Sequence, residues 1–185
     1  MGVVTIVDNS DVTRRRMEIR TMLNAWRTIP AILRDRHLTV IASNPLAQAV
    51  SPAFHEGVNL VRFTFIDSAR EHRLPCWNAT ATQVAAMLRD SLDQHEEDDS
   101  FTAIVGELSA KSREFAEAWA AESRPSYSGT VVLLNQFVGE VTLSYQQLWV
   151  PDDYDDAILV WRPVDPPSSI ALSRLAQQIA GSGTG

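Results

Sequence analysis

The residues able to carry nucleophilic or metal chemistry are four histidines (His37, His55, His72 and His95) and one cysteine, Cys76. The histidine spacings suit no common zinc site, whose ligands recur at short fixed intervals. Cys76 with the nearby His72 would make a thiolate nucleophile only with an orienting third group, which the sequence does not supply, and a partly buried inert thiol is the simpler reading. The acidic run His95–Asp99 (H-E-E-D-D) lacks the Asp/Asn and Gly pattern of a calcium loop and reads as a solvated connector. There is no G-x-S-x-G, P-loop, H-E-x-x-H or G-x-G-x-x-G. Neither catalysis nor a metal or cofactor is expected.

What the sequence does supply is aromatic surface: Trp26, Trp77, Trp119, Trp149 and Trp161, with Phe63, Phe65, Phe115 and Tyr145. Aromatic side chains mostly fill cores. In the absence of polar catalysts, the same wealth favours binding over chemistry. Arg62 is the one basic residue inside the apolar run Gly57–Asp67 (G-V-N-L-V-R-F-T-F-I-D). It either snorkels or pairs with a core carboxylate, or it is a polar anchor facing a cavity. The candidate ligand-binding set is Phe63, Trp77, Leu88, Phe115, Trp119 and Tyr145 as walls, with Arg62 as the anchor.

The bulk composition narrows the class. A chain of 185 residues fits one domain with tails. With 45% hydrophobic and 21% charged residues it can bury a full core. A net charge of -7 argues against a domain built to grip a phosphate backbone. One cysteine permits no internal disulfide and fits a reducing cytoplasm. The N-terminus has an early Asp and no long apolar run, so no secretory signal is expected. No run of apolar residues is long enough for a membrane span.

These candidates need elements to position them. Asp11–Trp26 reads as a helix with an apolar stripe of Ile19, Met22, Leu23 and Trp26 beside a basic cluster (Arg14, Arg15, Arg16, Arg20) expected to be a solvated face. Ala31–Arg34 and Leu38–Ala42 form a hairpin. Ser43 or Asn44 caps a short helix with Pro45 at its first position, ended by Ser51-Pro52. Gly57–Asp67 is expected to hold a short buried helix. Asn78 caps a helix running to about Leu92 whose buried face is Ala81, Val84, Ala85 and Leu88.

Phe101–Trp119 reads as two short helices meeting at a corner. Ser100 is placed to cap the first, whose buried face is Phe101, Ile104, Val105 and Leu108, and Ser112 to cap the second. Such a corner is either a DNA-reading helix-turn-helix or a pocket wall. Glu114 and Glu117 would meet phosphates with the wrong sign. Thr130–Leu134, Glu140–Trp149 and Ala157–Trp161 are strands, with Pro151–Asp156 as a polar loop. A helix over about Ser168–Ala180 and a Gly-rich tail end the chain.

The order is helix, two strands, helical insert, three strands, helix. It predicts an α+β, PAS-like fold, with a five-stranded antiparallel sheet, a helical insert between strands 2 and 3, and flanking N- and C-terminal helices. Residues 1–27 form the N-terminal helix and tail, 28–164 the PAS-like domain, and 165–185 the C-terminal helix and flexible tail. A cavity between sheet and helices is a common ligand site.

Over roughly Leu23–Pro163 the sequence resembles the ligand-binding domain of MmyB-like bacterial transcription regulators. The resemblance rests on A-S-N-P-L-A (Ala42–Ala47), Gly57–Asp67, Trp77, Leu88-Arg89, V-G-E-L-S-x-x-S-x-E-F-x-x-x-W (Val105–Trp119) and V-G-E-V-T-L (Val138–Leu143). It implies a PAS-like sensor for a small, mainly apolar molecule such as a fatty acid, behind a helix-turn-helix DNA-binding domain. The stretch before Leu23 is too short for that second domain. Where the family carries His-Pro before V-G this chain has Gln136-Phe137, and near Glu122 it lacks the family's His.

Two functions follow as expectations. In the first, the chain is a cytoplasmic sensor that binds a small apolar ligand and acts in transcriptional regulation through a partner, without touching nucleic acid or membrane. In the second, it is an interaction protein with a filled core, pairing through its N-terminal helix with itself or with a helix-turn-helix regulator.

Overall fold

The computed structural model describes residues 9–67, 76–95, 98–150 and 153–182. His72, Glu96, Glu97, Pro151, Asp152 and the ends of both tails lie outside them. Helix α1 (Asn9–Ala25) leads into strands β1 (Ala31–Arg34) and β2 (Val40–Ser43). The insert follows: α2 (Pro45–Val50), a 3-10 turn (Pro52–Phe54), α3 (Leu60–Arg62) continuing as a π-turn (Phe63–Asp67), α4 (Trp77–Gln94), α5 (Asp99–Lys111) and α6 (Arg113–Ala120). Strands β3 (Ser128–Asn135), β4 (Gly139–Val150) and β5 (Asp153–Pro163) precede α7 (Pro166–Ser182). The sheet order is β2-β1-β5-β4-β3, every pair antiparallel. The α+β sheet, its helical insert and the flanking helices match the expectation.

Side chains alternate across the sheet with the period of two. Ile32, Val141, Leu143, Leu159 and Trp161 face the main core shared with the insert and α7. Ala31, Leu33, Ala42, Val150 and Ile158 face the other way, against Ile19 and Leu23 of α1. Of the expected α1 stripe, Leu23 is fully buried whereas Met22 is 40% exposed.

The basic cluster on α1 is not uniformly solvated. Arg16 donates through Nε and Nη2 to both oxygens of Asp156 (2.7 and 2.8 Å), whose side chain is wholly buried. Arg20 donates to the Ile41 carbonyl at 2.9 Å and pairs with Glu56. Arg14 meets Asp11 in the open. Asp156 itself belongs to β5, which begins at Asp153, so part of the expected polar loop is strand. No local signal marks this change, because the partner of Asp156 lies on α1 at the other end of the chain.

Local caps set the insert. Asn44 Oδ1 accepts from Ala47 N at 2.9 Å at the start of α2, and Ser112 Oγ accepts from Phe115 N at 3.1 Å at the start of α6. Two expected caps are displaced. The cap of α5 is Asp98, not Ser100, which lies within the helix; α4 starts at Trp77 after Cys76, with no side-chain cap bond, so Asn78 is its second residue. Asp outcompetes Ser here because it serves more partners. Asp98 accepts from Phe101 N (2.9 Å), from His37 Nε2 (3.0 Å) and from Arg36 (2.5 Å).

Those bonds, the Phe101 N–H first and His37 and Arg36 after it, hold the Asp98 carboxyl down at about 2. A depressed carboxyl contributes stability that is present above its unfolded value and lost as pH falls through the folded one. Stability is therefore expected to drop as pH falls from about 4 towards about 2. Urea titrations across that range should show a shallower drop in Asp98→Asn; an identical slope would refute the assignment.

Candidate functional site

Between the inner face of the sheet and the insert lies a cavity of about 300 Å³. That is at the small end of the range for small-molecule sites. Its sheet wall is Gly129, Val131, Leu133, Tyr145, Leu159 and Trp161, and its helix wall includes Phe63, Thr64, Thr80, Gln83, Val84 and Met87. Leu38, Phe54 and Leu60 close one side, and Ala79 and Cys76 another.

The sequence builds this wall locally. Leu38 has a positive φ of 63°, at the end of the turn in which its N–H donates to Asp35 O (3.1 Å). For a non-glycine residue this backbone costs about 1–2 kcal/mol, and here it belongs to a fully buried side chain on the cavity wall. Asn59 ties that turn to α3: its Nδ2 donates to His37 O (2.7 Å), and its Oδ1 accepts from Val61 N and Arg62 N. The π-turn then widens the helix at Phe63 and Thr64, both wall residues; such turns recur at functional positions. Phe54 stacks on Trp161 with ring centroids 4.3 Å apart.

Polar groups sit around the Ser126 edge. Gln83 Nε2 donates to Ser126 O (2.6 Å) and Ser126 N returns a bond to Gln83 Oε1 (3.0 Å). Tyr145 Oη donates to the same carbonyl at 3.1 Å. Burial raises the Tyr145 phenol above its ordinary value, so it stays neutral and can donate. Tyr145 lies against the bare face of Gly129, where a Cβ would stand 2.9 Å from its ring. Gly129→Ala is expected to displace the ring, break its bond to Ser126 and lower stability by about 1–3 kcal/mol. Thermal unfolding checks this, and an unchanged melting temperature would refute it.

Phe63 and Tyr145 are the two residues of the expected set that the cavity brings together. The other five are not among its lining residues. Arg62 Nε donates to Glu107 Oε2 at 2.8 Å, with its side chain 39% exposed. It is paired with a carboxylate, but at the surface rather than in the core as expected, and Glu107 also takes Lys111. Leu88 and Phe115 are fully buried. The Phe115 ring meets Phe65 edge-on at 5.1 Å and stacks with Trp119 at 5.5 Å. Phe65 in turn meets Trp77 at 6.0 Å. Arg89 covers Trp119, its guanidinium 4.1 Å from the ring centre, and donates to the Trp119 carbonyl. This aromatic chain locks the π-turn, α4 and α6 together behind the wall. Phe54 and Trp161, absent from the expected set, are on the wall instead; Trp161 was visible only as one of many aromatics.

Among the described residues no three His, Cys, Asp or Glu converge on a point where a metal ion could sit. No helix among them is long and apolar enough to cross a membrane. A model of the MmyB-like transcription regulator ligand binding domain matches residues 16–175. The chain belongs to that family. This MmyB-like domain thus has a regulator's ligand-binding fold, and the match covers the cavity together with the part of α1 that covers the sheet's other face. No curated protein matches the chain.

Proposed function

We propose that this MmyB-like domain is a small-molecule sensor whose cavity takes one small, mainly apolar ligand. The observation that carries the reading is the 300 Å³ cavity itself, walled mainly by aromatic and aliphatic side chains, with Gln83, Ser126 and Tyr145 hydrogen-bonded to one another at one edge. Phe63 and Tyr145 contact the ligand directly in this reading; Trp77, Leu88, Phe115 and Trp119 hold the wall from behind, and Arg62 braces α3 against α5. A fatty acid is a suitable ligand class. The domain works in the cytoplasm, in transcriptional regulation, through a partner protein rather than by gripping DNA itself.

Native mass spectrometry after gentle purification, with a thermal-shift panel of fatty acids and alkanols, tests the reading. A co-purified small molecule or a rise in melting temperature is the expected result. A clean apo mass with no shift from any compound would overturn it.

The alternative of pairing through α1 meets a specific obstacle. Ile19 and Leu23 are already spent on the chain's own sheet, which leaves Met17 and Met22 as the large apolar residues that the described part of the helix exposes. Light scattering of Met17→Glu/Met22→Glu beside the native chain tests it, since an unchanged size would dismiss dimerisation through this face.

A further inference from the structure

The two edges of the sheet are finished differently. β2 is four residues long, and its outer side is taken by the stretch that follows the 3-10 turn. Val40 N donates to Val58 O, Gly57 N to Val40 O and Leu60 N to Leu38 O, each at 2.9 Å. β3 forms the other edge. Among the described residues no segment forms a backbone ladder along its far side.

Which backbone groups lie open follows from the ladder with β4. Gln147 N donates to Tyr127 O at 2.7 Å, and these two residues continue the β3–β4 register. An antiparallel ladder alternates, so the odd-numbered residues spend their N–H and C=O groups on β4. Ser128, Thr130, Val132 and Leu134 turn theirs outward. Natural edges are blunted by shortness, a charge, a proline or a bulge. β3 runs eight residues, S-G-T-V-V-L-L-N, without a charge, a proline or a shift of register against β4.

The flanks of the strand point to its occupant. Arg124 precedes β3 and Glu140 follows it on β4; both are exposed, and neither has an ion-pair partner among the described residues. Phe137, in the turn after β3, is 70% exposed, and Tyr127, just before β3, is 40% exposed. A second β3 laid antiparallel puts the start of each strand beside the end of the other. Phe137 of one copy then lies by Tyr127 of the other, and Arg124 of one copy on the side of Glu140 of the other. A two-fold axis through the middle of the strand, at Val131 or Val132, pairs even-numbered residues with even-numbered ones, the set whose bonds are open. An identical strand matches the length and both flanks at once, which is the condition for an isologous contact.

We infer that β3 is a dimerisation edge, pairing antiparallel with β3 of a second copy of this chain so that one sheet runs through both. This contact uses neither α1 nor the ligand, and it stands apart from the sensor reading.

Light scattering of the full chain from about 10 to about 300 µM tests the pairing across the range where a contact of modest strength forms. The mass should rise towards twice the 20.5 kDa of one chain. Hydrogen exchange at the two ends of that range should show the amides of Thr130, Val132 and Leu134 slowed severalfold in the concentrated sample. Val132→Lys sets a charge on the open edge, away from the cavity wall, and should keep the chain monomeric with an unchanged melting temperature. Arg124→Glu should weaken the dimer by about tenfold, and adding Glu140→Arg should restore it, which no local folding defect would do. Met17→Glu/Met22→Glu should leave the dimer as it is. A chain that stays monomeric at the highest concentration, a dimer that survives Val132→Lys, or a charge exchange that restores nothing would overturn the inference.

Discussion

Asn44→Ala should lower the unfolding free energy by about 3–4 kcal/mol, which for a chain of this size is a drop of roughly 10 °C in melting temperature. The Asn44 side chain is fully buried, and Nδ2 donates to the carbonyls of Leu23 (3.3 Å), Trp26 (2.9 Å) and Ile29 (2.7 Å). These carbonyls run from the last turn of α1 to the approach to β1. Its Oδ1 accepts from Ala31 N (3.2 Å), where β1 begins, and from Ala47 N (2.9 Å), where α2 begins. One amide thus ends one helix, starts another and fixes a strand between them. Losing the cap alone costs about 1 kcal/mol, and each buried group left unpaired adds about 1–3 kcal/mol. Asn44→Asp keeps the acceptor but turns a carboxylate towards three carbonyls, so it should be no milder than the alanine variant. Urea unfolding of both variants checks this. A loss below about 1 kcal/mol in the alanine variant would show that α1 is held by its apolar and arginine contacts without this amide.

Val84→Trp should abolish ligand binding while leaving the fold intact. Val84 sits on α4 facing the cavity, midway between Thr80 and Met87. An indole there occupies space otherwise open to a ligand, and an affinity loss of about 30-fold or more, roughly 2 kcal/mol, is expected. Its effect on stability is equally informative. Adding volume to a filled core costs about 1–3 kcal/mol, whereas adding it to an open cavity should leave the melting temperature unchanged or raise it. Thermal shift with and without decanoic acid reads both effects. A destabilised variant that still binds would place the ligand elsewhere.

Much of the fold was legible because its signals are local. Alternation in Glu140–Trp149, the caps at Asn44 and Ser112, and the prolines at 45 and 52 each act within a few residues. What failed was decided at a distance. Asp156 reads as loop until Arg16 is seen to pair with it. Asp98 reads as connector until His37 and Arg36 converge on it. Asn78 has the right type for a cap, but α4 begins before it. The site was legible in kind more than in detail. Phe63 and Tyr145 are on the wall, but aromatic type alone does not separate a wall residue from one like Phe115, packed behind it. That distinction depends on which face each helix turns inward. Arg62 drew attention as a charge within an apolar run, whereas Arg34, in an ordinary-looking strand, is the buried one.

The sheet order also has a kinetic consequence. β1 pairs on one side with β2, close by in sequence, and on the other with β5, through Ala31↔Val160 to Arg34↔Ala157. That ladder closes a loop of well over a hundred residues, an entropic cost borne before its contacts form. Leu159 and Trp161 on β5 are wall residues, and β1 is held on that side by β5 alone. A nascent chain emerging from the ribosome can assemble the first hairpin and the helical insert early, but the cavity cannot exist until β5 has been made. Ligand present during synthesis should therefore act late, trapping the finished sheet rather than guiding its assembly.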